Sequence, residues 1–279
     1  MKRNSTFLLT WLAFGYAFFY IPIISMIIYS FNKSRLATVW GGFSTEWYGK
    51  LFQNDQVLNA AWLSLRIALL SATLATILGT MAGMALARFS RFRGKTLFSG
   101  LVSAPLVMPE VITGLSMLLL FVYMETFIGW PSGRGFTTVA IAHTTFSLSY
   151  VAVVVRSRLV EMDRAVEEAA MDLGSKPLGV LLDITLPIIA PAMISGWLLA
   201  FTLSLDDVVI TNFTNGPGTT TLPIYIWGKI KLGVTPDINA LATIIVGVVT
   251  IGVIIAGIVM YRTEKKRDRD IQAAIAANE

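Results

Sequence analysis

Six apolar stretches leave this chain little choice of fold: Phe7 to Phe31, Trp62 to Ala87, Leu97 to Met124, Phe136 to Val155, Ile188 to about Leu205, and Leu241 to Tyr261. Each is close to the ~20 residues a helix needs to cross the hydrocarbon core of a bilayer. Only a helix or a closed barrel satisfies its backbone polar groups there. No regular apolar/polar alternation supports strands. Charged residues make up 14% of the 279, against roughly one-quarter in a soluble domain. The sequence therefore specifies an all-α membrane protein with six transmembrane helices.

Orientation follows from charge. Lys2 and Arg3, the run Arg88, Arg91, Arg93 and Lys95, the group Arg156, Arg158, Arg164 and Lys176, and the cluster Arg262 to Arg269 all fall on one side of this topology. That side takes most of the chain's 22 basic residues, so the positive-inside rule puts both termini in the cytoplasm. The first apolar run is too long for a signal-peptide core and lacks a clear Ala-x-Ala cleavage pattern, so it reads as a retained helix. The organisation expected is an N-terminal helix (1–31), a periplasmic segment (32–61), a membrane core (62–261) with a cytoplasmic loop at 158–187, and a tail (262–279).

Other chemistries are poorly supplied. Cysteine is absent, which removes disulfides and thiolate sites. The lone histidine, His143, reads as a hydrogen-bonded interhelical residue, because one imidazole makes no metal site. The basic stretch from Ala87 to Lys95 reads as stop-transfer charge rather than a nucleic-acid patch. No G-x-x-x-x-G-K-[ST] phosphate loop is present.

Ser71, Ala75, Gly79, Gly83 and Ala87 recur every four residues, a small-residue stripe that admits another helix at close range. In the outer segment, Phe43 before Ser44, Thr45 and Glu46 reads as a helix start with a hydrophobic staple. Trp40, Trp47 and Tyr48 suit an interfacial anchor or a docking surface. Asn215-Gly216 and Pro217-Gly218 signal turns before a short interfacial helix, Leu222 to Ile230.

The stretch EEAAMDLGSKPLGVLLDITLP, Glu167 to Pro187, sits on the cytoplasmic side. Met162, Val166, Ala169, Ala170 and Leu173 form one helical stripe opposite Asp163, Glu167 and Asp172. Gly174 is placed to end that helix in a left-handed cap, Ser175 to cap a second helix, and Pro177 to sit in its first turn. Two short helices with a sharp bend result. They read either as a knob for a soluble partner or as an amphipathic helix on lipid headgroups.

The spacing Glu168-Ala169-Ala170, three residues, Gly174, nine residues, Ile184, one residue, Leu186-Pro187 resembles the EAA loop of ABC importer permeases at every fixed position. The stretches SAPLVMPEVITGLSMLLLF, FTLSLDDVVITNFTNGPG, TTLPIYIW and VTPDINALATI are similar to the putrescine/spermidine permeases, particularly the second of their two sister subunits. The resemblance implies a type I ABC importer permease fold in a bacterial inner membrane. Its implied partners are a homologous sister permease, two copies of an ATP-binding subunit and a periplasmic polyamine-binding protein. ATP and Mg would belong to the ATP-binding subunit, with no cofactor in this chain. The loop would be the coupling helix: Glu168 would meet basic groups of the motor, and Ala169, Ala170 and Gly174 would permit tight seating and the bend.

Carboxylates inside a bilayer are costly unless they face protein, water or a cation. Glu110 falls about 13 residues into the third span, roughly 20 Å along a helix that Pro105 and Pro109 would loosen. Asp206 and Asp207 fall about 18 residues after Ile188, ~27 Å along an undistorted helix and near the outer rim. All three are candidates to line a path for a polyamine, whose ammonium groups need compensation for lost hydration. The alternatives are a helix cap or solvated rim position for the aspartates and a basic partner for Glu110. Other readings are import of a different solute, such as an amino acid or an opine, or a self-contained ion-coupled cation transporter using these acids as a relay.

Overall fold

The computed structural model describes residues 3–36, 39–89, 91–233 and 235–252, with the single positions 254, 258 and 262. It is helical throughout: α1 (Arg3–Ser30), α2 (Glu46–Phe52), α3 (Asp55–Arg88), α4 (Lys95–Val107), α5 (Glu110–Ile128), α6 (Phe136–Glu161), α7 (Ala165–Asp172), α8 (Pro177–Val180), a π-turn (Leu181–Thr185), α9 (Leu186–Asp206), α10 (Val209–Thr214) and α11 (Leu222–Leu232). A further apolar helix, α12, spans Pro236–Gly252. Among the described residues the sole β feature is an isolated bridge between Asn32 and Phe43. The sixth expected span is described only in part, and the tail after residue 262 lies outside the described residues.

The chain divides into two compact units, residues 1–55 with those from 229 onward, and residues 56–228. In the first, none of the most apolar stretch of α1 is buried within the chain. The loop after α1 is organised by Asn32, which is fully buried. Its side chain donates to the Leu36 and Val39 carbonyls and accepts from the Ser34 and Gly41 N–H groups. The expected interfacial tryptophan Trp47 is instead buried, donating its indole N–H to the Asn32 carbonyl at 2.7 Å. Tyr48 shares a hydrogen bond with Ser30. A ring with one polar atom can enter a small core when that atom finds a partner, and the folded-back loop supplies one. Trp40 remains outward, and Phe43 stacks on Phe31 rather than stapling α2.

The second unit is centred on α3, α6 and α9. The small stripe of α3 is where α6 comes closest: a Cβ on Gly79 would lie 2.7 Å from Val151 Cβ and 2.9 Å from the Leu148 carbonyl oxygen. Ala72, Ala75, Val151, Val155, Leu159, Ile189 and Ala200 fill the centre. Backbone proximity gives dispersion contact where lipid offers no hydrophobic drive between helices.

The third expected span is not one helix. Met108 is extended (φ −74°, ψ 136°) between α4 and α5, and Pro109 precedes the first turn of α5. Proline disfavours helical backbone at the residue before it, so the expected loosening is a full break. Glu110 accordingly opens α5 instead of lying midway along a span.

Candidate functional site

Two regions hold the candidate residues: the bent loop between α6 and α9 and the helix breaks beside the three acids. In the loop, the Asp163 side chain accepts from the Ala165 N–H to start α7. Gly174 (φ +90°) ends it. The Gly174 N–H donates to the Met171 carbonyl at 2.9 Å and the Ser175 N–H to the Ala170 carbonyl at 3.0 Å, the paired bonds of a Schellman cap. The expected bend is present, but Ser175 caps nothing. Its N–H closes α7, and Lys176 occupies the start of α8 without a side-chain cap bond. Pro177 takes the first position of α8, as its missing N–H allows.

Of the motif residues, Glu168, Ala169 and Gly174 are exposed, Ala170 is buried, Ile184 and Leu186 are half-buried, and Pro187 is exposed. The apolar stripe splits. Met162 and Ala170 face the chain, whereas Leu173 is 89% exposed and Leu178 66%. Leu173 and Leu178 thus present apolar surface at the bend.

The adjacent glutamates part company. Glu168 makes no side-chain bond among the described residues. Glu167, expected on the open polar face, is 14% exposed and pairs with Arg88 of α3 at 3.1 Å. Thr185 of the π-turn donates to the same carboxylate oxygen at 2.7 Å. Arg88 had read as stop-transfer charge, and nothing local in the sequence signals a partner 79 residues away.

α9 ends at Asp206, and Asp207 is extended (φ −65°, ψ 128°) before α10. Asp207 accepts from the backbone N–H groups of Ile210 and Thr211 (3.2 and 2.7 Å), from the Thr211 hydroxyl (2.7 Å) and from His143 Nε2 (3.2 Å). His143 Nδ1 meets the Ser204 hydroxyl at 2.7 Å, which in turn receives Ser71 of α3 at 2.9 Å. His143 is thus the interhelical residue expected, nearly fully buried and joining four helices. It lies seven residues into α6, about 10 Å from the start of that helix. The aspartates sit at that level, and α10 continues the chain past them, its Thr214 carbonyl accepting from Thr138 near the start of α6.

α10 packs on α5, with Phe213 against Gly114, one turn beyond Glu110. The elements bearing all three candidate acids are therefore neighbours, although no hydrogen bond joins Glu110 to either aspartate among the described residues. Asp206 and Glu110 are exposed, and Asp207 is held. Irregular backbone at membrane depth persists only where protein buries it or it lines a watery cavity. Nearer the start of α6, Arg66 stacks over Phe136 (5.2 Å) and lines a cleft of about 530 Å³ with Asn59, Trp62, Thr220 and Tyr225. No group of three or more metal-binding side chains occurs among the described residues.

Residues 75–269 match the family described as "Binding-protein-dependent transport system inner membrane component". The chain is 57% identical over 263 residues, 94% of each chain, to the "Putrescine transport system permease protein PotI" of Escherichia coli (strain K12). It is 42% identical over 251 residues, 90% of this chain and 92% of the other, to the "Spermidine/putrescine transport system permease protein PotC" of the same strain. Among solved structures, a chain of a bacterial ABC transporter for the acidic polysaccharide alginate, in complex with its alginate-bound periplasmic protein, superposes with a TM-score of 0.70. It shares 18% identity, and the match covers 90% of this chain and 91% of that one. At that identity the likeness speaks to the fold alone.

Proposed function

Because the chain belongs to the family of binding-protein-dependent transport system inner membrane components, we propose that it is a permease subunit of an ATP-driven polyamine importer. The carrying observation is likeness along nearly the whole chain to two polyamine permeases. A sister permease completes the passage, and two ATP-binding subunits supply the motor and hold ATP and Mg. A periplasmic binding protein delivers the cation. The chain lies in the bacterial inner membrane with both termini and the bent loop in the cytoplasm, which the distribution of Lys and Arg supports.

The loop works as a plug. Exposed Leu173 and Leu178 offer apolar contact around Glu168 and Ala169, and the capped bend keeps the tip rigid. Closure of the motor moves this plug and shifts the bundle between states of different access. In the passage, Asp206 and Glu110 offset the dehydration of ammonium groups, while Asp207 fixes the break through α10 and His143. Binding there is weak, as passage requires release.

Reconstituting the complex in liposomes should give ATP-dependent uptake of labelled putrescine or spermidine, and uptake by this chain alone under an ion gradient would overturn the reading. Asp206→Asn should lower uptake roughly tenfold, equivalent to ~1.4 kcal/mol of lost cation stabilisation. Unchanged transport kinetics would remove Asp206 from the path.

A further inference from the structure

Glu168 is exposed and makes no side-chain bond among the described residues, whereas Glu167 is bonded within the chain. One oxygen of Glu167 takes a hydrogen bond from Arg88 Nη2 at 3.1 Å and another from Thr185 Oγ1 at 2.7 Å. The same guanidinium donates through Nη1 to the Leu159 carbonyl at the end of α6, also at 3.1 Å. Arg88 and Glu167 are 18% and 14% exposed, so water screens this pair weakly. Three residues before Glu167, Arg164 at the head of α7 donates to the Ala87 carbonyl at 3.1 Å. The loop is thereby stitched twice to the cytoplasmic end of α3, once to α6 through Arg88, and once to the π-turn that opens α9.

These attachments matter mechanically. A short helix pushed from below moves a bundle only if it is fixed to the bundle's long helices, and α7 has few residues with which to do so. Glu167 and Glu168 are adjacent, so they project about 100° apart around α7. One can face a motor while the other holds the core. The π-turn adds a reason for Thr185 to matter: wide turns of this kind are uncommon within α-helices and concentrate at functional positions. Thr185 is buried and spends its hydroxyl on Glu167.

We propose that Glu167 is a positioning residue that clamps the docking loop to α3 and to the π-turn of α9 through Arg88 and Thr185, making the three move as one body. This rests on the coupling role proposed above for the loop. The clamp transmits displacement, and Glu168 receives it.

The test uses the whole complex in proteoliposomes, measuring cargo moved per ATP hydrolysed. Glu167→Gln keeps an acceptor for Thr185 but removes the charge facing Arg88. It should leave hydrolysis running and lower the ratio about fivefold or more, the usual scale of an energetic coupling between sites. Thr185→Val, which spares the ion pair, should lower the ratio to a smaller degree and serves if Glu167→Gln fails to assemble. An unchanged ratio in the variants that assemble, including a proportional fall of uptake and hydrolysis, would overturn the proposal. A second measurement does not depend on the cargo. The chain has no cysteine, so spin labels can be placed on α7 and α3 through Asp172→Cys and Met81→Cys. Their separation should stay constant between nucleotide-free and ATP-bound complexes, and should vary once Glu167→Gln is added. A nucleotide-dependent distance with Glu167 intact would also overturn the clamp. If the unmutated complex moves no polyamine yet shows the constant distance, the substrate assignment fails and the clamp stands.

Discussion

Gly79→Leu is expected to destabilise the chain more than any other single substitution at the α3–α6 contact. Even the first added carbon would lie 2.7 Å from Val151 Cβ and 2.9 Å from the Leu148 carbonyl oxygen, distances at which something must shift. The obstacle includes backbone of α6, which cannot rotate away as a side-chain tip can. Overpacking of this kind costs about 1–3 kcal/mol and occasionally more. The gain of up to ~1 kcal/mol from replacing a helical glycine offsets only part of that. Thermal unfolding in detergent should show a clear fall in midpoint for Gly79→Leu. Gly100→Leu, in a helix where an added Cβ meets nothing within 4 Å, should leave the midpoint nearly unchanged. Equal midpoints for the two variants would mean that α3 and α6 do not meet at Gly79.

Gly174→Val should have the largest effect on work done by the transporter while leaving its membrane core intact. At φ +90° the backbone occupies a region that β-branched residues avoid. An added Cβ meets nothing within 4 Å, so the penalty is conformational rather than steric crowding. It amounts to about 1–2 kcal/mol. The exposed bend can relieve that strain by opening the cap bonds from Gly174 and Ser175 to α7. The docking tip would then lose its shape, and ATP hydrolysis would continue with little uptake. Glu168→Lys should uncouple in the same way by reversing the charge offered to the motor. Wild-type cargo-to-ATP ratios in both variants, with both assembled, would refute the plug mechanism.

Much of this was legible in the residues. Long charge-poor runs gave the helices, the four-residue stripe gave the face of α3 that meets α6, and Leu173-Gly174 followed by Pro177 gave the bend. Those features are local, and each is enforced by backbone geometry or by the bilayer. What misled was also local in form. Ser175 looks like a helix cap, but α8 begins one residue later than that reading needs, so Lys176 holds the cap position. Trp47 looks like an interface anchor until Asn32 folds the loop to offer its indole a carbonyl.

By itself the sequence determined that this chain is a set of long apolar helices of membrane-spanning length and that Gly174 ends a short helix in a sharp bend. Period, length and turn chemistry act over a few residues, and lipid tolerates little else. Tertiary structure alone decided which acids are free and which are held. Glu167 is tied to Arg88 across 79 residues, and Asp207 to His143 across 64, while Glu168 and Asp206 remain open beside them. Neighbouring carboxylates carry the same charge and nearly the same local signal. Only the packing of distant helices brings a guanidinium, an imidazole or a hydroxyl to one of them and not to the other.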